Sequence, residues 1–219
     1  MSEMSRQKLI SLYLKAIDNE LSRTARTGAV ATSVNRLKRP ARLAGDELHS
    51  AMTRNRELAA EYIDWRAEEV PTRAEEMLAA LTGLAVIVNF GILSGDLYRS
   101  WPYTVPTVGE RVSGHEVAPD KIMSGLYELA QECVEIAKLG TDLKPRAVAQ
   151  VEWKIGIGPL HPFYDGCGRI SRYFTTLLCL WSDVELRVHR SRTEYMAAAT
   201  AGEAAFIQYW ILSPTRIAQ

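Results

Sequence analysis

The sequence has few cysteines and no excess of either charge, and both features limit what the protein can be. Its three cysteines, Cys133, Cys167 and Cys179, form an odd set without a CxxC pair. Such a set is a poor disulfide framework and a poor zinc site, so we expect reduced thiols and a cytoplasmic location. The 26 basic and 26 acidic residues give a formal net charge of zero. Because proteins that coat nucleic acid carry a basic excess, a nucleic-acid partner is not expected.

Long apolar runs are also missing. The most apolar stretch, residues 78–93, contains Asn89 and is shorter than the ~20 residues that a membrane-spanning helix needs. The first ten residues lack the apolar core of a signal peptide. The sequence therefore predicts no membrane association, and residues 78–93 should belong to a buried helix.

Apolar residues recur at helical spacing along most of the chain, which predicts a mainly helical, all-α protein. One helix should begin at Pro71 and Thr72, because Glu75 and Glu76 would then lie in its first turn, where the helix dipole favours acids. The predicted helices cover residues 6–21, 46–67, 71–93, 119–139, 144–157, 169–181 and 192–211.

Two segments depart from the helical pattern. Residues 23–45 hold six basic side chains and no acid, and this basic segment is predicted to be a solvated loop or frayed helix, with contact to RNA or another anionic surface as the alternative. Residues 98–119 combine β-favouring side chains with prolines and glycines, which predicts a short β-hairpin flap. The chain then divides into an N-terminal helical extension, residues 1–70, and a second domain, residues 71–219.

The loop at residues 159–172, with the sequence PLHPFYDGCGRISR, departs most from its surroundings. Pro159 and Pro162 end the preceding helix. Gly166 and Gly168 then lead directly into the next helix, and glycine allows backbone geometries that are closed to other residues. A glycine loop before a helix is an anion site, because several N–H groups and the positive end of the helix dipole point to one place.

Side chains in the same loop suit phosphate chemistry. Arg169 and Arg172 are neighbours on a helix and carry planar forks of donors for phosphate oxygens. Asp165 offers a hard oxygen ligand for magnesium, and His161 can accept a proton from an attacking hydroxyl. Each residue alone has an ordinary structural alternative, as a cap, a turn, a surface pair or a packed histidine. Their order within twelve consecutive residues favours a phosphate site.

This stretch, HPFYDGCGRISR at residues 161–172, strongly resembles the signature of the Fic family: histidine-x-phenylalanine-x-acid-glycine-asparagine-glycine-arginine-x-x-arginine. Every fixed position matches except one, and the predicted flap lies where Fic proteins carry a target-docking hairpin. The resemblance covers about residues 75–210. It implies an all-α, Fic-like helical catalytic domain with a short β-hairpin flap.

Most Fic enzymes move an AMP group from ATP to a hydroxyl of another protein, and some move other phosphate-containing groups. The resemblance thus implies a magnesium-assisted nucleotidyltransferase that uses ATP or another nucleotide-type donor and a protein or small-molecule acceptor. It also implies a role for each matched residue: His161 as general base, Phe163 as loop anchor, Asp165 as magnesium ligand, Gly166 and Gly168 as anion nest, Arg169 as the grip on donor phosphates and Arg172 as the terminal-phosphate contact.

Cys167 stands where the family has asparagine. An amide can donate to a phosphate oxygen, whereas a thiol is a weak donor, and losing one such donor can cost ~10²–10³ in rate. Three interpretations follow for Cys167: it only fills the space, the protein uses a nucleotide donor other than ATP, or its activity is low or lost. Alternatively, a thiolate beside Arg169 at a helix N-terminus could be a nucleophile, which would make the protein a thiol-dependent enzyme. A non-catalytic module that holds a nucleotide or phosphate is a further alternative.

Regulation is less well defined by the sequence. Many Fic proteins carry an inhibitory helix with serine or threonine, then glutamate four residues later, then glycine or asparagine. Two pairs here have the spacing but lack the final residue: Thr53 with Glu57, and Thr72 with Glu76. Both are expected to be ordinary helical residues, so the protein is either unrestrained or held by a separate inhibitory partner.

Overall fold

Helices make up most of the structure, a computed structural model that describes residues 5–22, 45–93, 96–98, 100 and 117–215. Within these residues the only β-pairing is an isolated bridge, so the predicted all-α class is confirmed. The basic segment, residues 23–44, and most of the predicted flap, residues 101–116, lie outside the described residues. The described α-helices are α1 Arg6–Ser22, α2 Gly45–Arg66, α3 Ala74–Asn89, α4 Ile122–Ile136, α5 Lys144–Gly156, α6 Cys167–Ser182, α7 Arg192–Thr200 and α8 Glu203–Leu212.

Several helix boundaries differ from the predicted ones, and α3 begins at Ala74 instead of at Pro71 and Thr72, although Glu75 and Glu76 do lie in its first turn. Helix α3 ends at Asn89 instead of continuing to residue 93, because Gly91 has a positive φ of 68°. A short 3₁₀ turn, Pro119–Lys121, precedes α4. The single helix predicted over residues 192–211 is two helices, because Gly202 between them has φ 109°, which lies outside the right-handed helical region.

Helix α6 is the centre of the fold. Thirteen of its sixteen residues are buried, so the helix is packed on most of its circumference rather than on one face. Every helix named above contributes side chains to one hydrophobic core, including Leu14 of α1, Ile63 of α2 and Phe206 of α8. The division between residues 1–70 and 71–219 stays a prediction, and α1 and α2 share one core with the helices that follow them.

Helices α1 and α2 are antiparallel, since Arg6 near the start of α1 pairs with Asp64 near the end of α2. Ser11 further along α1 correspondingly donates to Glu57 of α2 at 2.6 Å. Helix α3 is the buried helix that the apolar stretch predicted, with Leu81, Leu84 and other residues in the core. Across the part of the chain that the structure describes, none of the helices combines the length and the apolar character needed to span a bilayer.

Candidate active site

The loop between α5 and α6 starts with a tight backbone turn. Gly158 N donates to Trp153 O at 2.6 Å, and a Cβ added at Gly158 would lie 2.8 Å from the same oxygen. Glycine is therefore required there. His161 N then donates to Lys154 O at 3.2 Å, which returns the chain to the last turn of α5. His161 itself has φ 29°, an uncommon backbone conformation for a non-glycine residue and one that is often found at functional sites.

The imidazole of His161 is half-buried, and a backbone carbonyl contacts one of its ring nitrogens. Its Nδ1 lies 2.9 Å from Gly156 O. Because a carbonyl oxygen can only accept, this hydrogen bond requires the proton on Nδ1. In the neutral ring the basic lone pair is then on Nε2, so the contact selects the tautomer in which Nε2 accepts protons.

Phe163 fixes the middle of the loop. Its side chain is 1% exposed, and its ring stacks on Tyr98 with centroids 5.7 Å apart. Tyr164 N donates to Leu97 O at 2.8 Å, which completes the isolated antiparallel bridge between Tyr98 and Phe163. The loop is thus tied to residues 97–98, where the predicted flap segment begins, a contact that the sequence did not reveal.

Gly166 forms the turn into α6. It has φ 77°, a backbone conformation that favours glycine, and a Cβ there would lie only 3.1 Å from Val88 Cγ1. Its N–H donates to the Asp165 carboxylate at 2.8 Å. Arg169 N and Ile170 N both donate to Gly166 O at 2.8 Å, which starts the helix. The N–H of Gly168, in the first turn, has no backbone acceptor among the described residues, and such N–H groups at a helix start favour an anion.

The two arginines lie in different surroundings. Arg169 is half-buried, and its side chain makes no hydrogen bond or ion pair with the residues that the structure describes. Arg172 is 8% exposed, and its guanidinium carbon is 5.8 Å from the centre of the Tyr195 ring. One of its terminal nitrogens lies 3.2 Å from the Cβ position of Gly168, so the guanidinium reaches back over the first turn of α6.

Arg172 has an acidic neighbour from the N-terminal helix. Its guanidinium lies 3.7 Å from Asp18 Oδ1 of α1, and Tyr173 OH also donates to Asp18. The Nε of Arg172 is buried and has no hydrogen-bond partner in the described structure. Burial opposes the charge, but surrounding acidic groups outweigh it and raise the pKa of Arg172; they are Tyr195, Asp18, Glu152 and Tyr173. No motif in the sequence pointed to Asp18.

The two threonine–glutamate pairs make other contacts. Glu57 accepts from Ser11, and Glu76 accepts from Arg73 at 2.6 Å and from Thr72 N at 3.1 Å. Within the described residues neither carboxylate contacts Arg169 or Arg172. Both glutamates instead stabilise helix ends and helix pairing near the surface.

Cys167 is the first residue of α6 and is 3% exposed. Its Sγ donates to Phe163 O at 3.3 Å. The thiol therefore faces the inside of the loop and links its middle to its end. This contact is the kind that a small, weakly polar, space-filling residue makes.

A magnesium ion would depend mainly on Asp165. Among the described residues no group of three or more histidine, cysteine, aspartate or glutamate side chains could hold a metal ion. A single carboxylate nevertheless fits magnesium, which commonly binds through one or two carboxylates together with substrate phosphates and water. Asp165 is half-buried and directly precedes Gly166, so its chemistry and its place suit this role.

A buried polar cluster that the sequence reasoning missed lies behind α6. Glu152 of α5 is 1% exposed and accepts from Thr175 at 3.1 Å and Trp210 at 2.9 Å. Its other oxygen lies 3.0 Å from His189 Nε2. Burial alone would raise the pKa of Glu152, but His189, Arg172 and the hydrogen bonds outweigh it, and the pKa is lowered. Glu152 therefore links α5 to α6, to α8 and to the segment that holds His189.

Comparison with known proteins identifies the fold. No family model matches the sequence, and no curated protein matches it. A solved Fic domain containing signaling protein from Bacteroides thetaiotaomicron VPI-5482 matches with a TM-score of 0.56 and 13% identity, over 92% of this chain and 82% of that one. Fic-1 from C. elegans matches with a TM-score of 0.54 and 17% identity, over 96% of this chain and 63% of that one. The chain therefore has the Fic-domain fold, as the loop predicted.

Proposed function

We propose that this protein is a nucleotidyltransferase that moves AMP, or another phosphate-containing group, from a nucleotide-type donor to a hydroxyl of a protein or small-molecule acceptor. The observation that carries the proposal is the loop before α6. It combines an anion nest at Gly166 and Gly168 with Arg169, which has no carboxylate partner among the described residues, and with a histidine whose tautomer is set by Gly156 O. This arrangement offers both a phosphate site and a base on one short segment.

His161 is the proposed general base. With the proton held on Nδ1, Nε2 would accept the proton of the acceptor hydroxyl as its oxygen attacks phosphorus. The bond from phosphorus to the leaving phosphate group then breaks. Positioning and electrostatic stabilisation contribute most to such phosphoryl chemistry.

ATP or another nucleotide-type donor is the proposed substrate. Gly166, Gly168 and Arg169 would bind the donor phosphates, and Asp165 would hold magnesium, which neutralises phosphate charge when it is bound. Arg172 would meet the terminal phosphate only if it exchanged Asp18 for that ligand, since the two now lie 3.7 Å apart. The donor site is therefore proposed to be partly occupied by the protein's own carboxylate.

Two alternatives from the sequence remain open. The first is the thiol-dependent enzyme, but the burial of Cys167 and its hydrogen bond to Phe163 O support the space-filling role of this residue instead. For the non-catalytic binding module, turnover discriminates, because a module would bind a nucleotide and magnesium without transferring anything. A cytoplasmic location and the absence of membrane association remain part of the proposal. Regulation is proposed to be either absent or exerted by a separate inhibitory partner.

The test is a panel of ATP, GTP, UTP and CTP with magnesium, followed by mass spectrometry of protein and small-molecule acceptors. We expect transfer of a nucleotide or phosphate group from at least one donor. His161→Ala should abolish transfer while donor affinity stays largely unchanged, since the nest does not depend on the ring. Unchanged turnover in that variant would contradict the base assignment, and donor binding without any transfer would favour the binding module.

A further inference from the structure

Asn89, the last residue of α3, joins that helix to the loop before α6. Its side chain is 4% exposed. Its Nδ2 donates to Ala85 O at 3.1 Å within α3 and to Asp165 O at 3.2 Å in the loop. One buried amide thus connects the end of a core helix to the residue that precedes Gly166.

The carbonyl that Asn89 holds belongs to the peptide between Asp165 and Gly166. Because a peptide unit is planar, fixing the direction of this carbonyl also fixes the N–H on its other side. That N–H is the one that donates to the Asp165 carboxylate at 2.8 Å. The orientation of the carboxylate and the start of α6 therefore both depend on the hydrogen bond from Asn89.

Packing between α3 and the loop leaves little room for another arrangement. The Cβ position of Gly166 lies 3.1 Å from Val88 Cγ1 and 3.4 Å from Asn89 Oδ1. This Oδ1 is buried and has no hydrogen-bond partner in the described structure. The polar end of Asn89 is thus placed directly against the turn that forms the nest.

A second buried asparagine supports the same helix end without contacting the loop. Asn55 of α2 is 1% exposed, and its Nδ2 donates to Val88 O at 3.1 Å and to Phe90 O at 2.9 Å. Asn55 thus supplies a donor to carbonyls at the end of α3, where the helix itself provides none. The two asparagines differ in that Asn89 alone of them reaches Asp165.

We propose that Asn89 is a positioning residue, which orients the Asp165–Gly166 peptide for binding of a magnesium-chelated phosphate group. The inference rests on the proposed function, because it takes the donor phosphate as the ligand of the nest. A loop that is held in its binding conformation loses less conformational freedom when the ligand arrives. Asn89 acts through the loop and contacts no reacting atom.

The test compares Asn89→Ala with Asn55→Ala, two variants that each remove a buried amide from the end of α3. Amide hydrogen exchange at residues 166–168 is measured without nucleotide, and KM and kcat for ATP are measured at saturating magnesium. We expect Asn89→Ala to speed exchange at these amides and to raise KM about tenfold, the effect of losing one hydrogen bond, with a smaller change in kcat. Asn55→Ala should lower the overall stability and leave exchange at residues 166–168, relative to the rest of α6, near the wild-type value.

Asn89→Asp is the second variant, because an ionised carboxylate has the same shape but cannot donate to Asp165 O. It should change exchange in the same direction as Asn89→Ala. Equal exchange at residues 166–168 in the Ala variants of Asn89 and Asn55, or no change in either variant of Asn89, would overturn the positioning role. A wild-type protein that transfers nothing would contradict the proposed function, while the exchange contrast would still decide the role of Asn89.

Discussion

Asp18 of α1 lies 3.7 Å from Arg172 of α6, although the two residues belong to opposite ends of the sequence. The contact gives the deeper of the two loop arginines an internal anionic partner. Arg169, one helical turn earlier, has none among the described residues. The two arginines should therefore respond differently to a phosphate ligand, since only Arg172 must first give up a carboxylate.

Replacing Asp18 by asparagine should strengthen donor binding. The amide oxygen of the new side chain would still accept from Tyr173 but would no longer offer a negative charge to Arg172, so a phosphate would meet less competition. We expect KM for the donor to fall several-fold, as measured by steady-state transfer kinetics. Asp64→Asn is the matched control. Asp64 also links α1 to another helix, since it joins α2 to Arg6 of α1, but it does not contact Arg172. An unchanged KM in the Asp18 variant, or an equal fall in the control, would contradict the competition.

Gly166→Ala should destabilise the protein. Alanine at φ 77° costs roughly 1–2 kcal/mol, and its Cβ would also press on Val88 at 3.1 Å. Urea unfolding of the wild type and Gly166→Ala measures the difference in unfolding free energy. Gly140→Ala is the control, because nothing lies within 4 Å of its Cβ position, and this variant should change stability by less than about 0.5 kcal/mol. Equal stabilities for the two variants would show that Gly166 is not constrained.

Cys167 should behave as a buried structural thiol. All three cysteines are buried thiols and none is part of a disulfide, and burial raises the pKa of Cys133 and Cys179 well above the usual value. Alkylation by iodoacetamide should therefore be slow at all three in the native protein and fast after unfolding in urea, as followed by mass spectrometry. Rapid native labelling confined to Cys167 would instead favour the thiol-dependent enzyme.

Substitution of the same residue separates the chemical alternatives further. Cys167→Asn restores an amide donor at this position, so nucleotidyl transfer should be preserved or raised. A covalent mechanism through sulfur would be abolished by the same change. The transfer assay of the proposed function provides the measurement, and Cys133→Ala, a change at another buried cysteine, controls for loss of core packing.

The buried Glu152 should make stability depend on acid pH. Its pKa in the folded protein is lowered below the usual value of 4.5, so the unfolded chain binds the proton more readily. The stabilisation is therefore fully present above pH 4.5 and is lost as the pH falls through the lower folded value. The carboxylate faces His189, Arg172, Thr175 and Trp210, and loss of its charge would weaken all these contacts.

Urea unfolding of the wild type and Glu152→Gln between pH 3 and pH 7 checks this dependence. The difference in unfolding free energy between the two should be largest near neutral pH and should shrink as the solution becomes more acidic. A constant difference over the whole range would mean that Glu152 carries no linked proton. Taking the difference between this variant and the wild type cancels the contribution of the other carboxylates.

Helix positions could be predicted from the sequence because apolar spacing is a local property. Both α1 and α5 lie within one residue of the predicted limits, and α1 buries Ile10, Tyr13, Leu14 and Ile17 at helical spacing. The prediction of a single helix over residues 192–211 was wrong. The apolar spacing continues across Gly202, but the φ of 109° at this residue interrupts the helical backbone. A lone glycine in a helical pattern is an ambiguous signal.

The residues of the loop were predictable for a similar reason. His161, Asp165, Gly166, Gly168 and Arg169 lie on one continuous segment, and a proline-bounded glycine turn before a helix needs no distant information. Their partners could not be predicted. Asn89 reaches Asp165 from α3, and Tyr98 stacks on Phe163 from the far side, contacts that depend on how separate helices pack.

By itself, the amino-acid sequence determined the helical class and the chemical character of the loop, because periodicity, proline, glycine and charged side chains act over a few neighbouring residues. Only the tertiary structure decided which distant residues hold the loop in place and which of its side chains already have partners within the protein. It placed Asp18 against Arg172, Asn89 against the Asp165 carbonyl and the Cys167 thiol inside the turn. The reason is physical: burial and hydrogen bonding between distant segments exist only once the helices have packed.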